Sequence, residues 1–269
     1  MAADAYPTAA TPRATGRGPV ATVLLPTASV AVVLGLWELA PRVGWVSDAV
    51  MPPFTRTVGG LVQVLGHPAF AENMAATAGR WALGFGIAIV LGVAVGILMG
   101  RSRVLFYLID PILTLSYPVP RAALILILVL WFGVGLLSMV GIVVLGAIIP
   151  IVISAYHGAQ NINPHLLWSA RALGTSRRAT LWRVVLPAAL PQVLSGLRIG
   201  IAISIFTVLA SELLIRQAGI GAFLFTNWDH GQNVVVWATG LVLATVGFLL
   251  DFVYVRLVRV AVPWLEGQV

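Results

Sequence analysis

Long apolar stretches recur along this chain, and each is long enough to cross the hydrocarbon layer of a membrane. A helix needs about 20 apolar residues for that crossing. The candidate stretches cover about residues 21–40, 79–100, 104–133, 136–156, 192–215 and 234–258. Only 9% of the residues are charged, against about 25% in soluble domains, so water cannot be the solvent for most of the chain. The sequence predicts an all-α membrane protein with six transmembrane helices.

Prolines interrupt the third apolar stretch. Pro111, Pro118 and Pro120 all fall within residues 104–133. Proline breaks or kinks a helix because it lacks a backbone N–H and clashes with the preceding turn. We therefore expect the third helix to be broken.

The first residues of the chain predict a disordered tail. Residues 1–20 are rich in Ala, Thr, Pro and Gly and offer nothing that could bury a core. The apolar stretch that follows has the basic start and apolar middle of a signal peptide, but no small-residue cleavage site precedes Pro41. A retained first helix is favoured, so residues 21–269 form the predicted transmembrane domain.

The arginines predict the orientation of the chain. With the N-terminus in the cytoplasm, eleven of the sixteen arginines lie on cytoplasmic segments and four lie outside, while Arg121 falls within the third span. Membrane proteins carry their excess of Lys and Arg on cytoplasmic loops. Both termini are therefore expected in the cytoplasm, with residues 158–191 as the longest cytoplasmic loop. The same rule explains the net charge of +7 without nucleic acid.

Two residue types are missing from the sequence, and their absence excludes several functions. Without cysteine, disulfides, thiol catalysis and thiolate metal sites are impossible. Without lysine, the chain cannot form the GxxxxGK[ST] phosphate-binding loop of an ATPase. The four histidines are scattered, and no Ser/His/Asp arrangement is discernible. We predict no catalytic residue and no metal site.

The long cytoplasmic loop contains local signals for two short helices joined by a hinge. Asn163 and Pro164 suit the cap and first turn of one helix, and Gly174 can end it in a left-handed conformation. Thr175 or Ser176 can begin a second helix that runs to about residue 185, before the prolines that mark entry to the fifth span. Such a loop is either a rigid docking surface for a cytosolic partner or an ordered segment without a partner.

This loop resembles the EAA loop of ABC-importer permeases, whose pattern is E-A-A-x-x-x-G-x9-I-x-L-P. Nine residues separate Gly174 from "VVLP" (184–187). Further fragments are similar to the subfamily that imports nitrate, sulfonates and taurine, namely "GRSR" (100–103), "WFGVG" (131–135), "ALGTS" (172–176), "LPAALP" (186–191) and "GLRIG" (196–200). The resemblance covers the chain from about residue 50 to the C-terminus, and it implies the type I importer fold.

The resemblance also implies a function and a set of partners. The chain would be a non-enzymatic permease subunit in the cell inner membrane, paired with a second copy. Two ATP-binding subunits, which hold ATP and Mg²⁺, would dock on the loop and switch the bundle between inward- and outward-facing states. An extracytoplasmic binding protein would deliver a small, anionic solute to the outer loops, such as 42–78 and 216–233. The residues assigned to ATPase coupling are Trp168, Ser169, Ala170, Arg171, Leu173, Gly174, Leu186 and Pro187.

The loop departs from the family pattern at its start. The family glutamate falls on Trp168 and the first alanine on Ser169, whereas Ala170 matches. Trp168 could fill an apolar slot on the ATPase, as aromatic anchors often do, or pack at the membrane face. Arg171 could pair with acidic groups on the ATPase or only enforce topology. Exposed ion pairs contribute about 0–1 kcal/mol, so apolar docking is expected to dominate.

Charged residues within the spans are candidates for the translocation path, because a charge at a helix centre costs about 2.5–3.5 kcal/mol on insertion. Arg121 follows the proline break and could bind an anion in the path, pair with Glu212, or extend to the membrane surface. Glu212 could be that partner or a gate contact. Asp251, which has arginines nearby, and Asp110, which could cap a helix, are expected to be structural.

Glycines recur at four-residue intervals in two spans. Gly92, Gly96 and Gly100 fall on one helix face, as do Gly196 and Gly200. Small residues at this spacing let helices approach closely. Packing within the chain is favoured over a dimer interface.

Two rival functions follow from the same residues. A secondary transporter could use Arg121 and Glu212 as a charged intramembrane site, but such folds usually contain internal repeats, and none is evident. An intramembrane enzyme would need a nucleophile or a metal constellation, which the sequence lacks. The permease interpretation is therefore the favoured one.

Overall fold

The computed structural model describes residues 19–262, without the side chains of residues 19–23, 121, 122 and 261. The part of the chain that it describes is helical and contains no strand, which confirms the all-α prediction. The predicted tail, residues 1–20, lies almost wholly outside the described residues. The helices are α1 (Pro19–Arg42), α2 (Phe54–Leu65), α3 (Pro68–Arg101), α4 (Arg103–Ser116), α5 (Arg121–Phe132), α6 (Leu136–Gln160), α7 (Pro164–Ala172), α8 (Arg177–Thr180), α9 (Leu186–Ile215), α10 (Ile220–Asp229) and α11 (Asn233–Ala261).

Several helical segments are long and apolar enough to cross a membrane. They are Leu24–Arg42, Pro68–Arg101, Leu136–Gln160, Arg177–Ile215 and Asn233–Val260. Each contains most of one predicted span. The chain is thus a multi-pass membrane protein with five such helices in its described part, while the count of six and the orientation stay predictions.

The third predicted span is two helices instead of one. The break falls at residues 117–120, the sequence "YPVP", where Pro120 has an extended backbone (φ −65°, ψ 115°). Neither α4, with 14 residues, nor α5, with 12, is long enough to cross alone. The expectation of a break at Pro111 is wrong, because this residue lies inside α4 and the helix continues to Ser116.

The described part of the chain divides into two compact units, with the boundary between Arg56 and Thr57. In the first unit, side chains at the end of α1 bind the segment that follows it. The indole Nε1 of Trp37 donates to the carbonyl of Pro52 at 3.1 Å. The carboxylate of Glu38 accepts from both the backbone N–H and the hydroxyl of Thr55 at 2.9 Å. These bonds tie the end of α1 to Pro52 and to the first turn of α2.

The second unit is built around α3, α6 and α9. Their buried apolar side chains form one cluster, which includes Phe85 and Ala88 of α3, Val143 and Ile151 of α6, and Val208 of α9. Helix α3 begins at a cap in which the side chain of His67 accepts from the N–H of Ala69 at 3.2 Å. The three helices form the scaffold on which the loops are held.

Glycines allow α3 and α6 to pack at close range. A Cβ at Gly96 would lie 2.4 Å from the carbonyl oxygen of Val152, and one at Gly100 would lie 2.8 Å from that of Tyr156. Gly92 and Gly196 approach α6 in the same way. The expected role of these glycines in packing within the chain is confirmed.

We predict that Gly96→Ala destabilises the chain, whereas Gly86→Ala in the same helix does not. A methyl group at residue 96 would collide with the backbone of α6, and overpacking costs about 1–3 kcal/mol. No atom lies within 4 Å of a Cβ at Gly86, so only the better helix propensity of alanine applies there, worth up to about 1 kcal/mol. Thermal unfolding of the purified chain in detergent measures both effects. Equal melting temperatures for the two variants would contradict the packing argument.

Candidate functional site

The segment between α6 and α9, here called the arm (residues 161–185), is anchored at its base. Asn163 caps α7 by accepting the N–H of His165 at 3.0 Å, with Pro164 at the first position, as predicted. Ile162 and Val185 are buried in a cluster with residues of α3, α6 and α9. The arm is therefore an ordered extension of the bundle.

Gly174 ends α7 with the left-handed conformation expected from the sequence. Its φ is +73°, and its N–H donates to the carbonyl of Arg171 at 2.9 Å. The N–H of Thr175 reaches the carbonyl of Ala170 at 3.0 Å, which completes the cap. No atom lies within 4 Å of a Cβ built here, so backbone conformation and not space within the chain requires glycine.

The sequence predicts that the second helix of the arm ends at about residue 185, before the fifth span. In the structure this helix continues into the span. Ser176 caps α8 by accepting the N–H of Ala179 at 3.3 Å. The chain then continues through a π-helical turn, Leu181–Val185, directly into α9. Proline at 187 can donate no helical hydrogen bond, and the widened turn before it accommodates that loss without a break. Residues 177–215 thus form one continuous helical segment.

The arm exposes large apolar side chains. Leu173 is 84% exposed, Trp182 68% and Trp168 58%. Trp168 is held edge-on against the ring of His165, with ring centroids 5.0 Å apart. Of the other predicted coupling residues, Ser169, Arg171 and Pro187 are exposed, Ala170 is buried, and Leu186 packs partly into the cluster at the base of the arm. An apolar surface on an anchored support is the arrangement that a docking site requires.

A second site, which is polar, surrounds Glu212 at the opposite end of α9. This carboxylate is fully buried and accepts from the hydroxyl of Thr77 at 2.8 Å and from Arg80 Nη1 at 3.0 Å. It also accepts the N–H of Gly221 at 3.0 Å. A buried charge is tolerated only where it is paired and hydrogen-bonded, and Glu212 meets both conditions.

The same network holds the start of α10 and Gly219, the residue before it. The N–H of Gly219 donates to the side chain of Asn73 at 2.6 Å, and the N–H of Ile220 donates to Thr77 at 2.9 Å. Gly219 has φ +148°, and a Cβ there would lie 2.2 Å from the carboxyl carbon of Glu212. Glu212 therefore fastens the segment at 219–221 to both α3 and α9.

Arg121 was one candidate partner for Glu212, and its side chain lies outside the described residues. Arg121 begins α5 directly after the proline break. The described partners of Glu212 are Thr77, Arg80 and Gly221, and sequence reasoning missed all three as partners. The available signal was spacing, because positions 73, 77 and 80 fall on one face of a helix.

The other two acidic residues considered for the translocation path, Asp251 and Asp110, have structural environments. Asp251 pairs with Arg198 through two bonds of 2.7 and 2.8 Å, and not with the arginines that follow it in sequence. This pair joins α9 to α11. Asp110, expected to cap a helix, lies inside α4 instead, and the cap of α4 is Ser102. Among the described residues, no group of three His, Cys, Asp or Glu could hold a metal ion.

We predict that Glu212→Gln lowers the stability of the purified chain, whereas Glu72→Gln does not. The amide removes the charge that Arg80 requires, and breaking a buried ion pair costs about 3–5 kcal/mol. Glu72 is an exposed acid on the same helix, α3, and its replacement is expected to change stability by at most about 0.5 kcal/mol. Chemical unfolding in detergent measures both. If the two variants unfold at the same denaturant concentration, Glu212 does not fasten the segment at 219–221.

Comparison with known proteins agrees with this architecture. The family model for the binding-protein-dependent transport system inner membrane component matches residues 88–261. The taurine transport system permease protein TauC of Escherichia coli (strain K12) is 32% identical over 92% of this chain and 91% of its own. The nitrate import permease protein NrtB of Synechocystis is 30% identical over 90% of each chain. The permease fold also recurs in the inward-facing MetNI methionine ABC transporter, with a TM-score of 0.64 and 19% identity over 71% of this chain and 95% of that one.

The family match covers most of the chain and includes the whole arm and Glu212. It decides between the candidate functions, because it selects an ABC permease over a secondary transporter and over an intramembrane enzyme. This chain belongs to the family of inner-membrane components of binding-protein-dependent transport systems, and it is a membrane-embedded permease of the ABC-importer type.

Proposed function

We propose that two copies of this chain form the translocation path of an importer that is driven by two separate ATP-binding subunits. The observation that carries this proposal is the apolar surface of the arm, where Trp168 and Leu173 are exposed on an anchored support. In water such a surface is unfavourable, and its burial against a partner would stabilise the complex. An extracytoplasmic binding protein completes the assembly.

In this proposal the arm is the contact for the ATP-binding subunit. Trp168, Leu173 and Arg171 meet the partner directly, with Ser169 beside them. Ala170 and Gly174 set the shape of the arm, and Leu186 and Pro187 carry it into α9. The ATP-binding subunit holds ATP and Mg²⁺, because a chain without lysine cannot build the usual phosphate-binding loop. The arm then lies in the cytoplasm, with both termini on the same side.

The coupling is mechanical. Residues 177–215 form one helical segment of 39 residues, which is about 60 Å long at 1.5 Å per residue. Residues 177–185 of the arm belong to this segment, and α7 is joined to it by the capped turn at Gly174, so a displacement of the arm moves the segment. Its far end carries Glu212, which fastens the segment at 219–221. Closure of the ATP-binding subunits on one side of the membrane would thereby move the outer end of the bundle.

The transported solute is a small anion in this proposal. TauC and NrtB are named for taurine and nitrate, and the aliphatic sulfonates transport permease protein SsuC of Escherichia coli (strain K12) is 31% identical over 91% of this chain. Arg121, at the break between α4 and α5, supplies a permanent positive charge to the path. Glu212 contributes to the path by fixing its outer end.

We predict that Gly174→Asp uncouples ATP hydrolysis from uptake. The chain is expected to insert still, because no atom of the described residues lies within 4 Å of a Cβ added at Gly174. The added charge falls within the proposed docking surface, so uptake is expected to drop at least tenfold while ATP hydrolysis continues. Gly174→Asn is the matched control, since asparagine has the same shape, tolerates the left-handed conformation and adds no charge. Uptake and hydrolysis are measured in proteoliposomes with the full complex. Undiminished uptake by Gly174→Asp would overturn the coupling role.

A second prediction concerns the solute. Titration calorimetry on the cognate binding protein should detect binding of taurine, an alkanesulfonate, nitrate or a carboxylate, and should detect no binding of cations or neutral sugars.

In the complex, Arg121→Gln is expected to raise the apparent KM for that anion about 10- to 100-fold, which corresponds to the loss of one charge-assisted hydrogen bond. Arg121→Lys keeps the charge and should lose less. A binding protein that holds only cations or sugars would exclude the anion assignment.

A further inference from the structure

A basic cleft lies where the arm meets the end of α3. Its volume is about 820 Å³. Four arginines line it, Arg101 from the last turn of α3 and Arg171, Arg177 and Arg178 from the arm. No acidic residue is among its lining residues. Four like charges that converge from two parts of the chain repel one another, so this arrangement favours an anion between them.

These four arginines differ from the arginines that the structure pairs. Arg42, Arg56, Arg80, Arg198 and Arg216 each lie within 4.0 Å of a carboxylate. Among the described residues, no carboxylate lies within that distance of any arginine in the cleft, and all four side chains are exposed. Their guanidinium groups are free to donate to a ligand. A guanidinium group can donate two parallel N–H···O hydrogen bonds to two oxygens of one phosphate.

Three hydroxyl side chains and three apolar side chains make up the rest of the lining. Leu98 of α3, which is 46% exposed, and Leu181 form the apolar part of the wall, with Val185 buried behind them. Helix α3 is long and apolar enough to span the membrane, and the cleft is at its end, next to Arg101. A ligand with a phosphate head and an apolar chain would match both parts of the lining. Basic clefts at this level of a membrane protein suit the head groups of anionic lipids.

We propose that this cleft binds the phosphate group of an anionic phospholipid, with the head group among the arginines and an acyl chain along α3 beside Leu98. A free phosphate ion shares the charged part of this chemistry but not the apolar part. The cleft adjoins the proposed ATPase-docking surface and shares Arg171 with it, whereas the apolar docking residues Trp168, Leu173 and Trp182 are not among its lining residues. The bound lipid connects the arm to α3 and so adds a support to the arm that depends on membrane composition.

The test uses the full-length chain purified in detergent. Native mass spectrometry follows the binding of phosphatidylglycerol, of phosphatidylcholine and of inorganic phosphate. The cleft variant is Arg101→Gln/Arg178→Gln. The matched control is Arg103→Gln/Arg183→Gln, which removes the same charge from exposed arginines that neighbour the cleft but do not line it. The variant Arg101→Lys/Arg178→Lys keeps the charge, and circular dichroism verifies that each variant is folded.

Phosphatidylglycerol is expected to bind in preference to phosphatidylcholine, and the cleft variant should bind it about 10- to 30-fold more weakly at low salt, at roughly 1 kcal/mol for each arginine. The control should bind as the unmodified chain does, and the lysine variant should retain most of the affinity. If inorganic phosphate binds alone and displaces the lipid with the same dependence on Arg101 and Arg178, the site is confirmed and its ligand is the free ion. Equal lipid affinity in the cleft variant and the control would overturn the proposal.

Discussion

Inside lipid there is no water to receive backbone N–H and C=O groups, so each segment of this chain that crosses it must satisfy them within a helix. That constraint removes the usual contrast between apolar core and polar surface, because lipid is as apolar as the interior. Helices then associate through close packing, and the glycines of α3 against α6 supply it. Polar contacts within the bundle, such as those of Glu212 and the pair of Arg198 and Asp251, add directional bonds between helices to this apolar packing.

The long segment from α8 through α9 connects the two sites of the molecule. At one end the arm presents exposed apolar side chains, and at the other Glu212 fastens the segment before α10. The π-helical turn before Pro187 preserves this continuity where a proline would otherwise end a helix. In the proposed coupling, a displacement of the arm reaches the Glu212 end through this one helical segment.

Arginine has several distinct uses in this chain, and only the structure separates them. Arg80 and Arg198 neutralise carboxylates within the bundle. The arginines of the cleft, such as Arg101 and Arg178, have no carboxylate partner among the described residues and line a cavity at the end of a helix that can span the membrane. A rule that counts positive charge by loop treats all of these residues alike, because it does not consider what each side chain contacts.

The sequence by itself determined the helical class, most of the helix positions and the local shape of the arm, because hydropathy, caps at Asn163 and Ser176, and the left-handed Gly174 depend on neighbouring residues. Tertiary structure decided the rest. Arg80 and Glu212 are 132 residues apart in sequence, so their pairing follows only from the packing of α3 against α9. The continuity of the arm with α9 likewise depends on packing at the base of the arm, where Val185 is buried, which local proline rules do not include. Contacts between distant segments leave no signal in the neighbouring residues. For this physical reason the sequence determined the local features, and only the tertiary structure decided the long-range contacts.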